Sequence, residues 1–507
     1  MTSPARFAGC ARAEKMSCSQ STPGNAVSAS FRDPAGRLFA IDGRIIRIVN
    51  SHAVPDLLKF LESTTAQTFI ASGRLVRSKI LEATNARGLL NTGEINLLNP
   101  ADNSIVVEHE KVPFQNFPYE WSAEMLHSAA GLTLDLAESL LDEGLGLKDA
   151  TPYNILFRGA EPVFVDLLSF EHRDPGDPIW IPQAQFERTF LLPLLVNKYF
   201  GVQLDQILVV RRDGLEPEEV YRLSGFLQRL LPPFLSLVSI PTWLGTKHNQ
   251  DDHSIYGDKT IPDVEKARFI LKSSLKRLRR ILNKLAPNGT NTSAWSDYAT
   301  SKNNYSVANA AAKTKFVEDV IAEFKPKRVL DVGCNTGLYS AVAAKSGASV
   351  VAIDSDAVVL GETLRRAGSE GLDILPLLVN LARPSPAIGW RNSECPAFLD
   401  RARGAFDAVL MLAVVHHMLI SERIPLEEII DLSAELTTDI LIIEFVAPDD
   451  SMFRRLTRGR DHLFADLTSE VFELTCKRKF YISRSQNLEG SRRWLYLLRK
   501  NRMTQDA

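Results

Sequence analysis

The chain has 507 residues, 45% hydrophobic and 24% charged, the balance of a soluble protein with material for roughly two to four cored domains. A formal net charge of −2 removes any global electrostatic reason to bind nucleic acid. Cys10, Cys18, Cys334, Cys395 and Cys476 are scattered without metal-ligand or disulfide-scaffold spacing, and no apolar run reaches the ~20 residues of a membrane span, so a reducing, cytoplasmic setting is expected.

Residues 1–30, rich in Ser, Ala, Gly and Thr, lack the apolar run of a secretory signal and read as a disordered tail. Residues 31–260 read as a mixed α+β domain. In "GRLFAIDGRIIRIV" two β-rich runs flank Asp42-Gly43, a hairpin signal. "VPDLLKFLES" has helical spacing, "NSIVVEHEKVPF" reads as a strand, and "SAEMLHSAAGLTLDLAESLLDEG" is a long amphipathic helix that stops at Gly144. "FERTFLLPLLVNKYF" and "PEEVYRLSGFLQRLLPPFLSLV" read as further helices.

Between these helices lies "LKDATPYNILFRGAEPVFVDLLSF", Leu147 to Phe170, in which D-x-x-P-x-N-I-L precedes an apolar run ending in Asp166. The segment resembles the catalytic loop and metal-binding acid of protein kinases and aminoglycoside-type phosphotransferases. That resemblance implies a kinase-like fold in which Asp149 orients an acceptor hydroxyl while Asn154 and Asp166 hold magnesium on ATP phosphates. Arg47 stands nearest the expected phosphate lysine, with Glu62 as its expected partner. Leu147 replaces the usual histidine, however, and no G-x-G-x-x-G loop precedes the site, so phosphates would lack much of their electrostatic clamp. The expectation is a kinase-like domain that is inactive or binds a substrate, in preference to an active phosphotransferase.

Residues 261–294 contain "VEKARFILKSSLKRLRRILNKLAPN", with Phe269, Leu271, Leu275, Leu278, Ile281, Leu282 and Leu285 as an apolar stripe and no acid between Lys266 and Lys284. A helix on an anionic membrane surface, through 264–288, and a nucleic-acid contact are the two sharper readings. A linker helix packed on one domain, its basic face solvated, is the favoured one. "PNGTNTSAWSD" then marks a boundary before a last domain at 295–507.

From Lys327 onward strands and helices alternate, which implies a doubly wound, mostly parallel sheet with a ligand site at the carboxyl ends of its strands. "RVLDVGCNTGLYSAVAAKSGASVVAID" ends one strand in Asp331-Val332-Gly333, passes Asn335 and Gly337 into a helix, and ends the next strand in Asp354. Gly333 permits a tight turn, Gly337 a close helix start, and Asp354 can accept from both hydroxyls of a ribose. A dinucleotide site needs a G-x-G-x-x-G phosphate cradle, and an acid beside a pyrophosphate repels it. The same acid suits a sulfonium and an ammonium, which favours S-adenosylmethionine over NAD.

Over roughly Trp295 to Lys500 the chain resembles the class I S-adenosylmethionine-dependent methyltransferases, on "VLDVGCNTG", "VVAID" and "FDAVLMLAVVHHM". The resemblance implies a Rossmann-like, seven-stranded sheet, with Asp331 and Gly333 around the amino-acid end of the cofactor, Gly337 beneath the nucleoside and Asp354 on the ribose. Asn380 stands where the family often has an acid for the adenine amine, and Asn335, in place of a more frequent glycine, tolerates left-handed backbone. His416 and His417 follow the fourth strand and are candidate bases for an O–H or N–H acceptor, as is Glu444. In-line placement alone can suffice for methyl transfer, so a dedicated base is not required. Trp390 and Arg391 are candidates for an acceptor pocket. The acceptor itself is not legible; a small molecule or protein fits the near-neutral charge better than nucleic acid.

Overall fold

The computed structural model describes residues 27–30, 32–82, 103–245, 260–287 and 306–501. Most of the expected tail and the expected boundary at 288–294 lie outside them. Of the two units, one falls within residues 1–51 and 78–109, the other within 52–77 and 110–507.

The first unit is a five-stranded antiparallel sheet of β1 (Val27–Ser30), β2 (Gly36–Ile41), β3 (Arg44–Val49), β4 (Ser78–Ile80) and β5 (Ile105–His109), in the order β1-β2-β3-β5-β4. Asp42 and Gly43 both take left-handed backbone (φ 48° and 76°), the turn whose twist suits the expected hairpin. Phe39, Ile41, Ile46, Ile48 and Val106 form its core, and Arg44 grips Glu108 through two 2.6 Å hydrogen bonds.

The second unit begins with α1 (Val54–Glu62) and α2 (Thr64–Ala71), and continues through α3 (Ala123–Leu140), which ends near left-handed Gly144. Strand β6 (Leu145–Leu147) pairs with β9 (Phe170–His172), and β7 (Ile155–Arg158) with β8 (Glu161–Phe164). The single helix expected from Pro217 to Val238 is broken: α4 (Pro217–Leu223) stops at extended Ser224, and Leu231 is extended before Pro232. Gly225 and the Pro232-Pro233 pair explain the break, since neither supports a continuous hydrogen-bond ladder.

The basic segment is α5 (Val264–Leu285), whose Leu271, Leu275, Leu278, Leu282 and Leu285 are buried. Phe269 departs from the expected stripe and is 72% exposed. It precedes Leu271 by two residues, which puts it on the far side of a helix with ~100° per residue. Four of the eight basic side chains meet acids of the same unit: Arg268 and Lys272 reach Asp142, Arg277 reaches Glu187, and Arg279 reaches Asp135 and Glu138, while Lys266, Lys276, Arg280 and Lys284 are exposed.

The sheet of this unit and the main helices around it are α6 (Val307–Phe324), β10 (Arg328–Val332), α7 (Leu338–Lys345), β11 (Ser349–Asp354), α8 (Ala357–Glu370), β12 (Ile374–Leu378), β13 (Phe406–Met411), α9 (Val415–Ile420), α10 (Leu426–Leu436), β14 (Thr437–Val446), β15 (Phe480–Asn487) and β16 (Arg493–Lys500), with shorter helices at Phe398–Ala402, Ser451–Thr457 and Ser469–Cys476. The seven strands run β12-β11-β10-β13-β14-β16-β15, with β16 antiparallel to both neighbours and the others parallel. Val329, Val350, Ala352, Leu410 and Ile442 pack with Phe316, Val317 and Val320 of α6 in one apolar core. The chain leaves β10 on one side for β11 and returns on the other for β13, so the switch in strand order lies at the tip of β10, where a ligand crevice forms.

Candidate functional site

Strand β10 delivers Asp331 to the crevice almost fully buried, and its Oδ2 accepts a 2.6 Å hydrogen bond from Ser340 of α7. The chain then turns at Gly333 (φ 67°), whose N–H donates to the Ile353 carbonyl at 2.8 Å. A Cβ at Gly333 would lie 2.5 Å from Val414 Cγ2, so the β10 loop and the loop after β13 approach closely there. Asn335 does adopt left-handed backbone (φ 50°), and its side-chain oxygen accepts from the Thr336 N–H at 2.7 Å. Gly337 (φ 72°) starts α7; a Cβ there would meet Thr363 Cγ2 at 2.7 Å.

Asp354, at the end of β11, faces the same crevice. Its Oδ2 accepts from the Asn335 N–H and its Oδ1 from the Asp356 N–H, each at 3.0 Å, which fixes the carboxylate. Asn380, just past β12, accepts the Ala382 N–H at 2.9 Å, and the second lone pair of that oxygen can accept another donor.

These residues surround a cavity of about 460 Å³, within the range of small-molecule sites. Asp331, Gly333, Asn335, Asp354, Asn380 and His417 line it. Gly337, His416, Glu444, Trp390 and Arg391 are not among the lining residues. The neighbouring histidines are separated by the helix they share: on α9, His417 faces the cavity, while His416 is buried with Nδ1 lacking a hydrogen-bond partner among the described residues. Burial depresses both imidazoles below their ordinary range, His416 the further, so each is neutral at neutral pH. Glu444 is fully buried at the end of β14 and is held by Lys313 Nζ at 2.7 Å, with Arg493 at 3.6 Å.

Lys313, on α6, lines the cavity and was not singled out from the sequence. Its ammonium also stands 5.3 Å from the centre of the Tyr339 ring. A signal existed: Lys313 shares the helical stripe of buried Phe316, Val317, Val320 and Ile321, an unusual place for a lysine without a task.

Burial pushes Asp331 up to about 6, with Asp354 adding repulsion and the Ser340 hydrogen bond opposing it. Asp354 is likewise raised by burial, against the Asn335 and Asp356 hydrogen bonds. Two desolvated carboxylates on one cavity are relieved by a cation, so the donor set fits a ligand that carries positive charge beside a ribose.

Asp149, Asn154 and Asp166 lie around β7 and β8. Asn154 Nδ2 donates to Ser169 Oγ at 2.9 Å, and Ser169 Oγ donates to Asp166 Oδ2 at 2.7 Å, so one hydroxyl ties the amide to the acid. Arg47 is buried on β3 and Glu62 is exposed at the end of α1.

Residues 304–485 match a family described as a methyltransferase domain. Nodulation protein NoeA of Rhizobium meliloti (strain 1021) is 29% identical over 476 residues, 94% of this chain and 96% of that protein. Ubiquinone biosynthesis O-methyltransferase of Caulobacter vibrioides is 31% identical over 97 residues, 19% of this chain and 33% of that enzyme. The crystal structure of N-methyltransferase NodS from Bradyrhizobium japonicum WM9 aligns at 12% identity and a TM-score of 0.29, over 38% of this chain and 97% of that one.

Proposed function

We propose, on the premise that residues 304–485 are an S-adenosylmethionine-dependent methyltransferase domain, that the chain transfers a methyl group to an oxygen or nitrogen of an acceptor admitted beside His417. The observation that carries this reading is the pair of buried carboxylates, Asp331 and Asp354, on one cavity at the tips of β10 and β11.

In this reading Asp354 accepts from the ribose hydroxyls, Asp331 faces the ammonium, and Lys313 attracts the carboxylate of the methionyl end. The free lone pair on Asn380 accepts from the adenine amine. S-adenosylmethionine supplies a methyl carbon made electrophilic by its positive sulfur. The acceptor's lone pair forms the new bond to that carbon as the carbon–sulfur bond breaks, and sulfur takes the electron pair. His417, a neutral imidazole at the cavity wall, receives the proton that the acceptor's hydroxyl or amine sheds. Glu444 holds Lys313 in place and does not act as the base.

Calorimetry on the wild type and on Gly333→Arg tests the cofactor assignment. The wild type is expected to bind S-adenosylmethionine and the variant to lose it, because any side chain at 333 runs into Val414. A wild type that does not bind sinks the reading. Labelled-methyl transfer into extracts then identifies the acceptor, and His417→Ala is expected to lower turnover by about 10²-fold with cofactor affinity retained.

The Asn154–Ser169–Asp166 chain supports a second, finer reading of the region before α5 as kinase-like and nucleotide-binding. The phosphotransferase activity gains no support from the family match, which covers 304–485. A magnesium-dependent rise in melting temperature with ATP, absent in Asp166→Ala, is the expected sign of binding; no shift in the wild type removes it.

A further inference from the structure

Residues 220–245 follow an unusual pattern. Leu223, Phe226, Leu227, Leu230, Leu231, Ile240, Trp243 and Leu244 are all large, apolar and exposed, Phe226 by 75% and Leu227 by 79%. They stand on short elements that touch one another. Trp243 Nε1 donates to Tyr221 Oη at 3.3 Å, the Arg229 guanidinium lies 3.8 Å from the centre of the Tyr221 ring, and Ser239 Oγ donates to the Arg229 carbonyl at 2.8 Å. These contacts tie α4, the 228–230 turn and the 240–245 helix together.

Two features specify what covers such a face. Phe226 and Leu227 stand on the tight turn after Gly225 and protrude from it, which suits a deformable apolar phase better than a preformed groove. The charge is one-sided: no acid occurs from Val220 to Gly245, and Arg222 and Arg229 pair with no carboxylate among the described residues. Of the three carboxylates just before the segment, Glu216 pairs with Arg188 and Glu219 with Arg211, while Glu218 Oε1 lies beside Gly245, so the two arginines outnumber one acid at this face. Trp243 and Tyr221 carry an apolar ring with a polar edge, the side chains that settle at the level of lipid headgroups.

We propose that residues 220–245 form a membrane-docking surface, in which Phe226, Leu227 and their apolar neighbours enter the outer acyl region while Arg222 and Arg229 meet anionic headgroups. The surface is separate from α5, whose Arg268, Arg277 and Arg279 face acids of the protein itself. Among the described residues no helix is long and apolar enough to cross a membrane, so the contact is peripheral.

Co-sedimentation of the full chain with vesicles of phosphatidylcholine, and of phosphatidylcholine mixed with phosphatidylglycerol, tests this. Partition onto the anionic vesicles, weakened by salt, is expected. It falls at least about tenfold in Phe226→Glu/Leu227→Glu and in the milder Phe226→Ser/Leu227→Ser, with the melting temperature unchanged because both side chains are exposed. Arg222→Glu lowers the preference for anionic vesicles without abolishing binding. Failure of the wild type to sediment with either vesicle overturns the proposal, as does undiminished sedimentation of both double variants. A wild-type dimer in sedimentation velocity that the double variants dissolve also overturns it, since the face then belongs to a second copy.

Discussion

At the scale of single residues, Asp331 and Lys313 set the charge of the cavity at the strand tips in opposite senses. Burial lifts the Asp331 carboxyl from 3.8 to about 6, so ionising it costs the folded chain stability. For this raised acid the apo protein is most stable below its ordinary value, loses stability as pH rises toward 6, and stays at the lower level above. A bound cation reverses the balance by favouring the carboxylate. Cofactor affinity is therefore expected to climb as pH rises through about 6 and then level, while Asp331→Asn binds more weakly and with a flatter pH profile. Calorimetry between those limits checks it; an unchanged slope in the variant assigns the titration elsewhere. Glu444 belongs to the same electrostatic group. Glu444→Gln leaves Lys313 buried beside a neutral amide, which is expected to cost about 3 kcal/mol or more of stability. Denaturant unfolding measures that cost, and a loss of turnover without loss of stability would instead restore Glu444 as a base.

At the scale of elements, α5 shows why composition and placement differ. Its leucines are buried and Arg268, Lys272, Arg277 and Arg279 meet Asp135, Glu138, Asp142 and Glu187, while Lys266, Lys276, Arg280 and Lys284 stay exposed. Leu275→Ala is expected to destabilise by about 2–5 kcal/mol through the cavity it leaves. Phe269→Ala, on the outer face, should stay within about 0.5 kcal/mol. Equal effects in thermal unfolding would mean that the helix packs differently. The segment 217–238 makes the complementary point: its apolar spacing suggested one helix, but local breakers at Gly225 and Pro232-Pro233 divided it and turned several leucines outward.

At the scale of the molecule, within the second unit, the chain before α5 is locked to the methyltransferase sheet by buried charge. Glu120 is fully buried and bonds both Arg401 and Ser385, and Arg401 sits between Phe114 and Phe117 with ring centres 5.3 and 5.0 Å away. Arg365 meets Glu124 at 2.9 Å on another face. The loop carrying Ser385 begins at Asn380, Leu381 and Ala382, which line the cavity at the strand tips, so this contact and the cavity share a segment. Arg401→Ala, which strands the Glu120 carboxylate, is expected to cost about 3–5 kcal/mol and to weaken cofactor binding with it. Limited proteolysis and calorimetry on the variant check the two together; a stability change below about 0.5 kcal/mol would show that the pair carries no load.

The sequence by itself determined the alternating architecture of residues 328–500, the loop Asp331–Gly337 and the acid at Asp354, because these depend on local quantities. Strand periodicity, left-handed backbone at glycine or asparagine, and a carboxylate at a strand end are written within a few residues of one another. Only the tertiary structure decided which of two adjacent histidines meets the cavity, since a rotation of ~100° per residue makes that a matter of how α9 packs. It likewise decided that Glu444 is consumed by Lys313, a residue 131 positions earlier, and that Leu223, Leu227, Leu230, Leu231 and Leu244 face outward while Leu237 is buried. Burial and charge pairing are sums over distant neighbours, and no short stretch of chain contains them.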